Sequence, residues 1–195
     1  MTQPHYDDTS DQIAVRKEKR QRMLDEGRHP YPPELVVENS LAEIRAGYVV
    51  ADGADAGASA GAGATGDAAT DSADDPARAG TTDGSGVPVP GAEDVTVLQP
   101  GDELTDVTVK VAGRVMLFRP SGKIAFVQLQ SGAGDRLQVI FSLANVGKEA
   151  LDVLKADVDL GDHVYVVGYV GASKRGELSV FATEWKMASK ALRPL

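Results

Sequence analysis

From Val107 onward, apolar residues recur at every second position in five separate runs, the period at which a strand sends successive side chains to opposite faces. "VTVKVAGRVMLF" (107–118) sets Val107, Val109, Val111 and Val115 in phase as a long first strand. "GKIAFVQLQ" (122–130) puts Ala125, Val127 and Leu129 on a core face and Ile124, Phe126, Gln128 and Gln130 on the other. "DRLQVIF" (135–141) divides the same way, with Leu137, Val139 and Phe141 against Arg136 and Gln138. "VGKEALDVLKAD" (146–157) changes to the 3.6-residue period of a helix through Val146, Leu151 and Leu154. "DHVYVVGYV" and "GELSVFATEWKM" return to strand, joined by a turn at Lys174, Arg175 and Gly176. Three strands, a helix and two strands is the order of an OB-fold. The predicted class is therefore mainly β: a five-stranded Greek-key barrel, whose second and third strands form a face for oligonucleotides or oligosaccharides.

The first fifty residues carry helical signals. Thr9 with Gln12 fits a capping box, Ile13, Val15, Met23 and Leu24 supply an apolar stripe, and Gly27 is placed to end the helix. "VRKEKRQR" loads the same helix with basic groups, among them Arg16, Lys17 and Arg20. They suit either phosphate contacts or a solvated face paired with Glu18. "HPYPPEL" imposes an extended turn through Pro30, Pro32 and Pro33, and Ser40 with Glu43 caps a second short helix.

Between these parts, Ala51 through Gly86 contains no Val, Ile, Leu, Met, Phe, Trp or Tyr. Such a stretch cannot bury a core, so residues 51–95 are expected to form a disordered acidic linker between a helical extension (1–50) and the barrel domain (96–195). Gly61, Gly63 and Gly66 spell GxGxxG, but no strand and apolar helix flank them, as a dinucleotide site requires. The aspartates lack the spacing of a calcium loop.

Charge modifies the picture only after division of the chain. The formal net charge of -9 argues against a nucleic-acid partner as a whole-chain figure. Residues 1–50 carry seven Lys/Arg against nine Asp/Glu, residues 51–95 one against nine, and residues 96–195 twelve against eleven. The acidity is thus concentrated in the middle, and the barrel is able to present a locally basic face. There is no cysteine, which excludes disulfides, thiol nucleophiles and thiolate metal sites. The start lacks the blocks of a signal peptide and no long apolar run occurs, so the expectation is a soluble, cytoplasmic protein. His5, His29 and His163 are too scattered for metal ligation or an acid–base pair, and "PSGKI" lacks the glycine-rich run of a phosphate loop.

The candidate chemistry lies on the polar face of the second and third strands. Phe126, with Gln128 and Gln138 near it, has what single-stranded nucleic-acid recognition needs: a ring to stack on a base and amides to read an edge. The competing reading packs Phe126 beneath the N-terminal helices.

The pieces "VRKEKRQRMLDEGRHPYP", "VAGRVMLFRPSGKIAFVQLQ", "LQVIF", "KRGELSVFATEW" and "KALRPL" together resemble the N-terminal region of class II lysyl-tRNA synthetases, which precedes the catalytic domain. Single pieces are shared with aspartyl and asparaginyl enzymes, whereas "GELSV" followed by "KALRPL" is more specific to the lysyl family. The resemblance implies binding of the anticodon stem-loop of tRNA(Lys), a uridine-rich triplet. Phe126 would stack on the middle base, Gln138 would read its edge, Arg119 would contact base or phosphate, and Glu177 would accept a hydrogen bond from a uridine imide. Arg16, Lys17, Arg20 and Lys123 are further candidates for phosphate contacts.

Three departures accompany the resemblance. Phe118 stands where the family more often has a basic or polar residue, "QSGAGDRLQ" is about one residue longer than usual, which would displace Gln138, and the acidic linker is foreign to most of the family. The chain stops at Leu195, where the catalytic domain should begin. The expectation is an anticodon-binding part without catalytic capacity or cofactor of its own, ATP and Mg belonging to the absent domain, and a homodimer in the full-length enzyme; the alternative is a stand-alone OB-fold module that binds single-stranded nucleic acid or a protein partner.

Overall fold

A computed structural model describes residues 8–51 and 95–193 of the chain. The expected linker, its GxGxxG string and His5 fall almost wholly outside the described residues. The described elements are α1 (Asp8–Asp25), α2 (Leu41–Gly47), β1 (Tyr48–Val50), β2 (Thr96–Leu98), β3 (Glu103–Ser121), β4 (Ile124–Gln130), β5 (Arg136–Ser142), α3 (Leu143–Val146), α4 (Lys148–Asp157), β6 (His163–Ala172) and β7 (Leu178–Ser189).

The five long strands close into a barrel in the order β3-β4-β5-β7-β6, with β6 pairing back onto β3. All contacts are antiparallel except β5 with β7, which run parallel. The period-two pattern is what fills the interior: Val109, Val111, Val115, Val127, Leu129, Val139, Phe141, Val166 and Val180 are all buried in one cluster. β-branched and aromatic side chains suit this pleated, enclosed surface.

The expected single helix after β5 is divided. Gly147 at φ +81 separates α3 from α4, a backbone setting that a side-chain-bearing residue rarely adopts. Leu151 and Leu154 of α4 enter the barrel core, and Trp185 Nε1 donates to Ala150 O at 3.0 Å to fix the helix on β7.

The capping box of α2 has the predicted form: Glu43 N donates to Ser40 Oγ at 3.1 Å and Ser40 N donates to Glu43 Oε2 at 2.7 Å. Its Leu41 and Ile44 join the core. β1 and β2 form a two-stranded parallel sheet with Tyr48 opposite Thr96 and Val50 opposite Leu98, so the chain leaves β1 and re-enters β2 at opposite ends of the pair.

α1 corrects two sequence expectations. Asp8, the first described residue, is already helical, so Thr9 lies inside the helix and not at its cap. Its docking face runs through half-buried Ile13, buried Arg16 and buried Met23, whereas Val15 and Leu24 are exposed. The helix is held by its cations. Arg16 donates from Nη1 to Ala191 O at 3.1 Å and from Nη2 to Leu160 O at 3.0 Å, Lys19 pairs with Asp159 at 2.5 Å, and Arg22 and Arg28 both pair with buried Asp157. For Arg16, Lys19 and Arg22, the alternative of a solvated face paired with Glu18 gives way to these tertiary contacts.

Under the helix lies Lys190, whose ammonium is fully buried. It donates to Asp157 O at 2.7 Å, Asp159 Oδ2 at 2.6 Å and Asp162 Oδ2 at 2.7 Å, satisfying all three of its protons. A buried ammonium without such partners would lose its proton or the fold its stability. Burial pushes the Asp159 carboxyl up, but hydrogen bonds from Lys19 and Lys190 outweigh it and hold the group below its ordinary value.

Candidate nucleic-acid interface

Two parallel rows of outward side chains cross the barrel wall. In the first, the strand register places Arg119 opposite Phe126, Phe126 opposite Ile140, Ile140 opposite Phe181, and Phe181 opposite Tyr169. In the second, Leu117, Gln128, Gln138, Ser179 and Gly171 follow one another in the same manner. All of the first row, and Leu117, Gln128 and Gln138 of the second, line a groove of about 900 Å³, with Glu177, Lys174 and Arg175 at the β6–β7 turn. Arg119, Phe126, Gln138 and Glu177 all face it.

A bulge in β3 brings Arg119 there. Val115 is opposite Leu129, but Leu117 is opposite Gln128, so the register shifts at Met116. Without the extra residue Arg119 would share the inward phase of Val111 and Val115; beyond the bulge, Phe118 turns to the core side opposite Val127 and Arg119 turns out. The apolar residue at 118 is therefore a packing residue.

Phe126 is half-buried, lines the groove and does not join the core cluster, which removes the reading that packs it beneath the helices. The long β4–β5 turn does not move Gln138 out of the groove. Its length is absorbed at the tip, where Ser131 N donates to Asp135 O at 2.9 Å, and Gln138 stays opposite Gln128.

The Gln138 amide has a fixed direction. Its Nε2 donates to Ser179 Oγ at 2.9 Å, and Ser179 Oγ donates to Glu177 O at 2.9 Å. A carbonyl only accepts, so the single hydroxyl proton of Ser179 is committed to Glu177, and its oxygen is left to accept from the nitrogen end of the amide. Glu177 sits on a turn closed by Ser173, whose N donates to Glu177 O at 2.8 Å and whose Oγ accepts from Glu177 N at 3.1 Å.

Of the proposed phosphate contacts, Arg16 is buried and committed to backbone carbonyls, which corrects its assignment as a phosphate contact. Arg20 is half-buried with its guanidinium 5.8 Å from the centre of the Tyr31 ring. Lys17 and Lys123 are exposed, on α1 and at the β3–β4 turn. Reading from sequence alone missed Lys174 and Arg175 as groove cations, and missed the aromatic pair Tyr169–Phe181, which is visible in the sequence only as two outward aromatics on strands whose pairing it does not state.

Tyr169 is tied at both sides of its hydroxyl, which donates to Glu103 Oε2 at 2.8 Å and accepts from Asn145 Nδ2 at 3.1 Å. Burial and the Glu103 carboxylate raise its pKa, keeping the proton in place. Among the described residues no cluster of His, Cys, Asp or Glu is arranged to hold a metal ion, and no helix is long and apolar enough to cross a membrane.

The barrel is an OB-fold, and residues 109–188 match the tRNA anti-codon family, described as an OB-fold nucleic acid binding domain. Beyond the barrel, the chain is 40% identical over 196 residues to the lysine–tRNA ligase of Mycolicibacterium gilvum, an alignment covering all of this chain and 30% of that protein. It is 39% identical over 189 residues to lysine–tRNA ligase 1 of Mycobacterium tuberculosis strain H37Rv, covering 97% of this chain and 28% of the relative. A lysine–tRNA ligase from Thermotoga maritima is 42% identical over 103 residues, 53% of this chain. The chain thus spans under a third of the length of these curated relatives.

Proposed function

We propose that this chain is the anticodon-reading part of a lysyl-tRNA synthetase, selecting tRNA(Lys) for ATP-dependent aminoacylation by a catalytic domain outside the residues given. The observation that carries the reading is the convergence of Arg119, Phe126, Gln138 and Glu177 on one groove of an OB-fold, from three strands and a turn. Phe126 stacks on the middle base of the triplet. Gln138 presents its carbonyl to the base edge, where uridine carries an imide proton that cytidine lacks. Glu177 accepts from a second uridine, and Arg119 contacts base or phosphate. Lys17, Lys123, Lys174 and Arg175 add charge along the path of the backbone.

The reading assigns residues 1–50 to a helical extension, 51–95 to an acidic linker and 96–195 to the binding domain of a cytoplasmic, homodimeric enzyme. The piece itself forms no aminoacyl-adenylate.

The test is a titration of the chain with a tRNA(Lys) anticodon stem-loop and with a copy carrying cytidine at the middle position, using wild type and Phe126→Ala. Loss of the stack weakens binding by about 1–3 kcal/mol, and the cytidine copy binds less well than the uridine one. Equal affinity for both RNAs, with a steep salt slope and no effect of Phe126→Ala, would instead mark a sequence-blind binder held by phosphate contacts.

A further inference from the structure

We propose that the stacked Tyr169–Phe181 pair is a second nucleobase platform in the same groove, taking a base adjacent in the strand to the one on Phe126. The proposal rests on the anticodon reading above and adds a ligand-binding site to it. Three observations carry it. The two rings are stacked, 5.4 Å apart centre to centre and within 7° of parallel, so they form an offset aromatic stack that a base can extend. Both line the groove and both are half-buried, leaving area to cover. And the pair belongs to the same cross-strand row as Phe126, with only Ile140 between Phe126 and Phe181. Two strand spacings, about 9.6 Å, separate those positions, a step that one splayed nucleotide spans.

The pair is set in place before any ligand arrives. The Tyr169 hydroxyl is committed to Glu103 and Asn145, so the ring neither swings nor offers its polar end to a base edge; it contributes its face. Phe181 reaches across β6 over Gly171, where a Cβ would come within 2.8 Å of the Phe181 ring and 2.5 Å of Asp102 O. No side chain fits at 171 while the ring holds that position, so the glycine is what admits the ring there. A face without an edge reader binds any base, so this platform supplies affinity and order along the strand, while choice of base stays with Gln138 and Glu177.

The experiment pairs protein variants with stem-loops of the tRNA(Lys) anticodon that lack one base at a time at each anticodon position. Dissociation constants are measured for the wild-type chain, Phe126→Ala, Phe181→Leu and Phe181→Trp, with thermal melts confirming that each is folded. Phe181→Leu keeps apolar bulk and removes the ring; Phe181→Trp restores a ring. We expect Phe181→Leu to weaken the intact stem-loop by about 5- to 150-fold and to abolish the further loss caused by removing one flanking base, with Phe181→Trp close to wild type. Phe126→Ala should abolish the loss for the middle base alone. If Phe181→Leu leaves the loss from every missing base as large as in the wild type while Phe126→Ala is coupled to the middle one, the second platform is overturned and the anticodon reading stands. Coupling of both variants to the same base would also overturn it, since the groove would then hold a single stacked base. If Phe126→Ala couples to no base, the assignment of Phe126 fails, and the coupling of Phe181→Leu by itself decides whether the aromatic pair binds a base.

Discussion

A glutamine is a poor reader of bases unless something decides which end of its amide faces the ligand, and here one hydroxyl proton decides it. Because Ser179 donates to Glu177 O, the amide nitrogen of Gln138 must face Ser179 and its oxygen must face the groove. Ser179 is fully buried, so the arrangement is shielded from competing water. Ser179→Ala removes the anchor without adding volume, and Glu177 O keeps its bond from Ser173 N. The fold should therefore lose only about 1 kcal/mol, but the amide becomes free to turn over and present a donor. The expected result is a reduced preference for uridine over cytidine at the middle position with little change in affinity for the better of the two. Gln138→Ala, measured alongside, sets the scale: if it removes the preference and Ser179→Ala leaves it intact, the amide is oriented without the serine.

At the scale of elements, the alternation of Val109, Val111, Ala125, Val127, Leu137 and Val139 made the strands and their inward faces legible, because burial on one face of a strand leaves a period-two record. The same rule concealed Arg119, since a bulge reverses the phase without changing the composition, and nothing in "GRVMLFRP" announces an extra residue at Met116. It also concealed the face of α1. Apolar spacing favoured Val15 and Leu24, yet the helix docks through Arg16 and Lys19, whose long stems pack while their charges meet carboxylates and carbonyls of the 157–162 loop. Two expectations follow for this cluster. Lys190→Met leaves the carboxylate of Asp162, itself fully buried, without its cation, and a loss of about 3–5 kcal/mol should appear in chemical denaturation. A pH series tests Asp159. Its carboxyl is held below the ordinary value in the fold, so its contribution is complete above the unfolded value of about 3.9 and disappears as pH falls through the lower folded value. The melting temperature should decline through that acid window, and Asp159→Asn should flatten the decline. An unchanged slope would mean that other carboxylates govern acid unfolding.

Taken whole, the molecule sets a groove with Arg119, Lys174 and Arg175 on its lining into a chain of formal charge -9, of which -8 belongs to residues 51–95. The parallel pairing of β1 with β2 limits how far the segment between them can be shortened. Val50 is opposite Leu98 and Tyr48 opposite Thr96, so the connection has to run back along the parallel pair, which takes a dozen or so residues and not a tight turn. For a flexible loop, reducing that segment to about twelve Gly/Ser residues saves close to two doublings of loop length, or about 1 kcal/mol. The shortened chain should therefore melt no lower than the original. Its affinity for RNA carries the more informative outcome. Removing eight net negative charges should tighten binding at low ionic strength, and the gain should fade once the screening length falls to about 8 Å near 0.15 M salt. Tighter binding that converges with the original as salt rises would assign the acidic segment an electrostatic brake on RNA capture. Affinities that match at every salt concentration would mean that its charge lies too far from the groove to act, leaving the basic side chains of the lining to set the salt dependence unopposed.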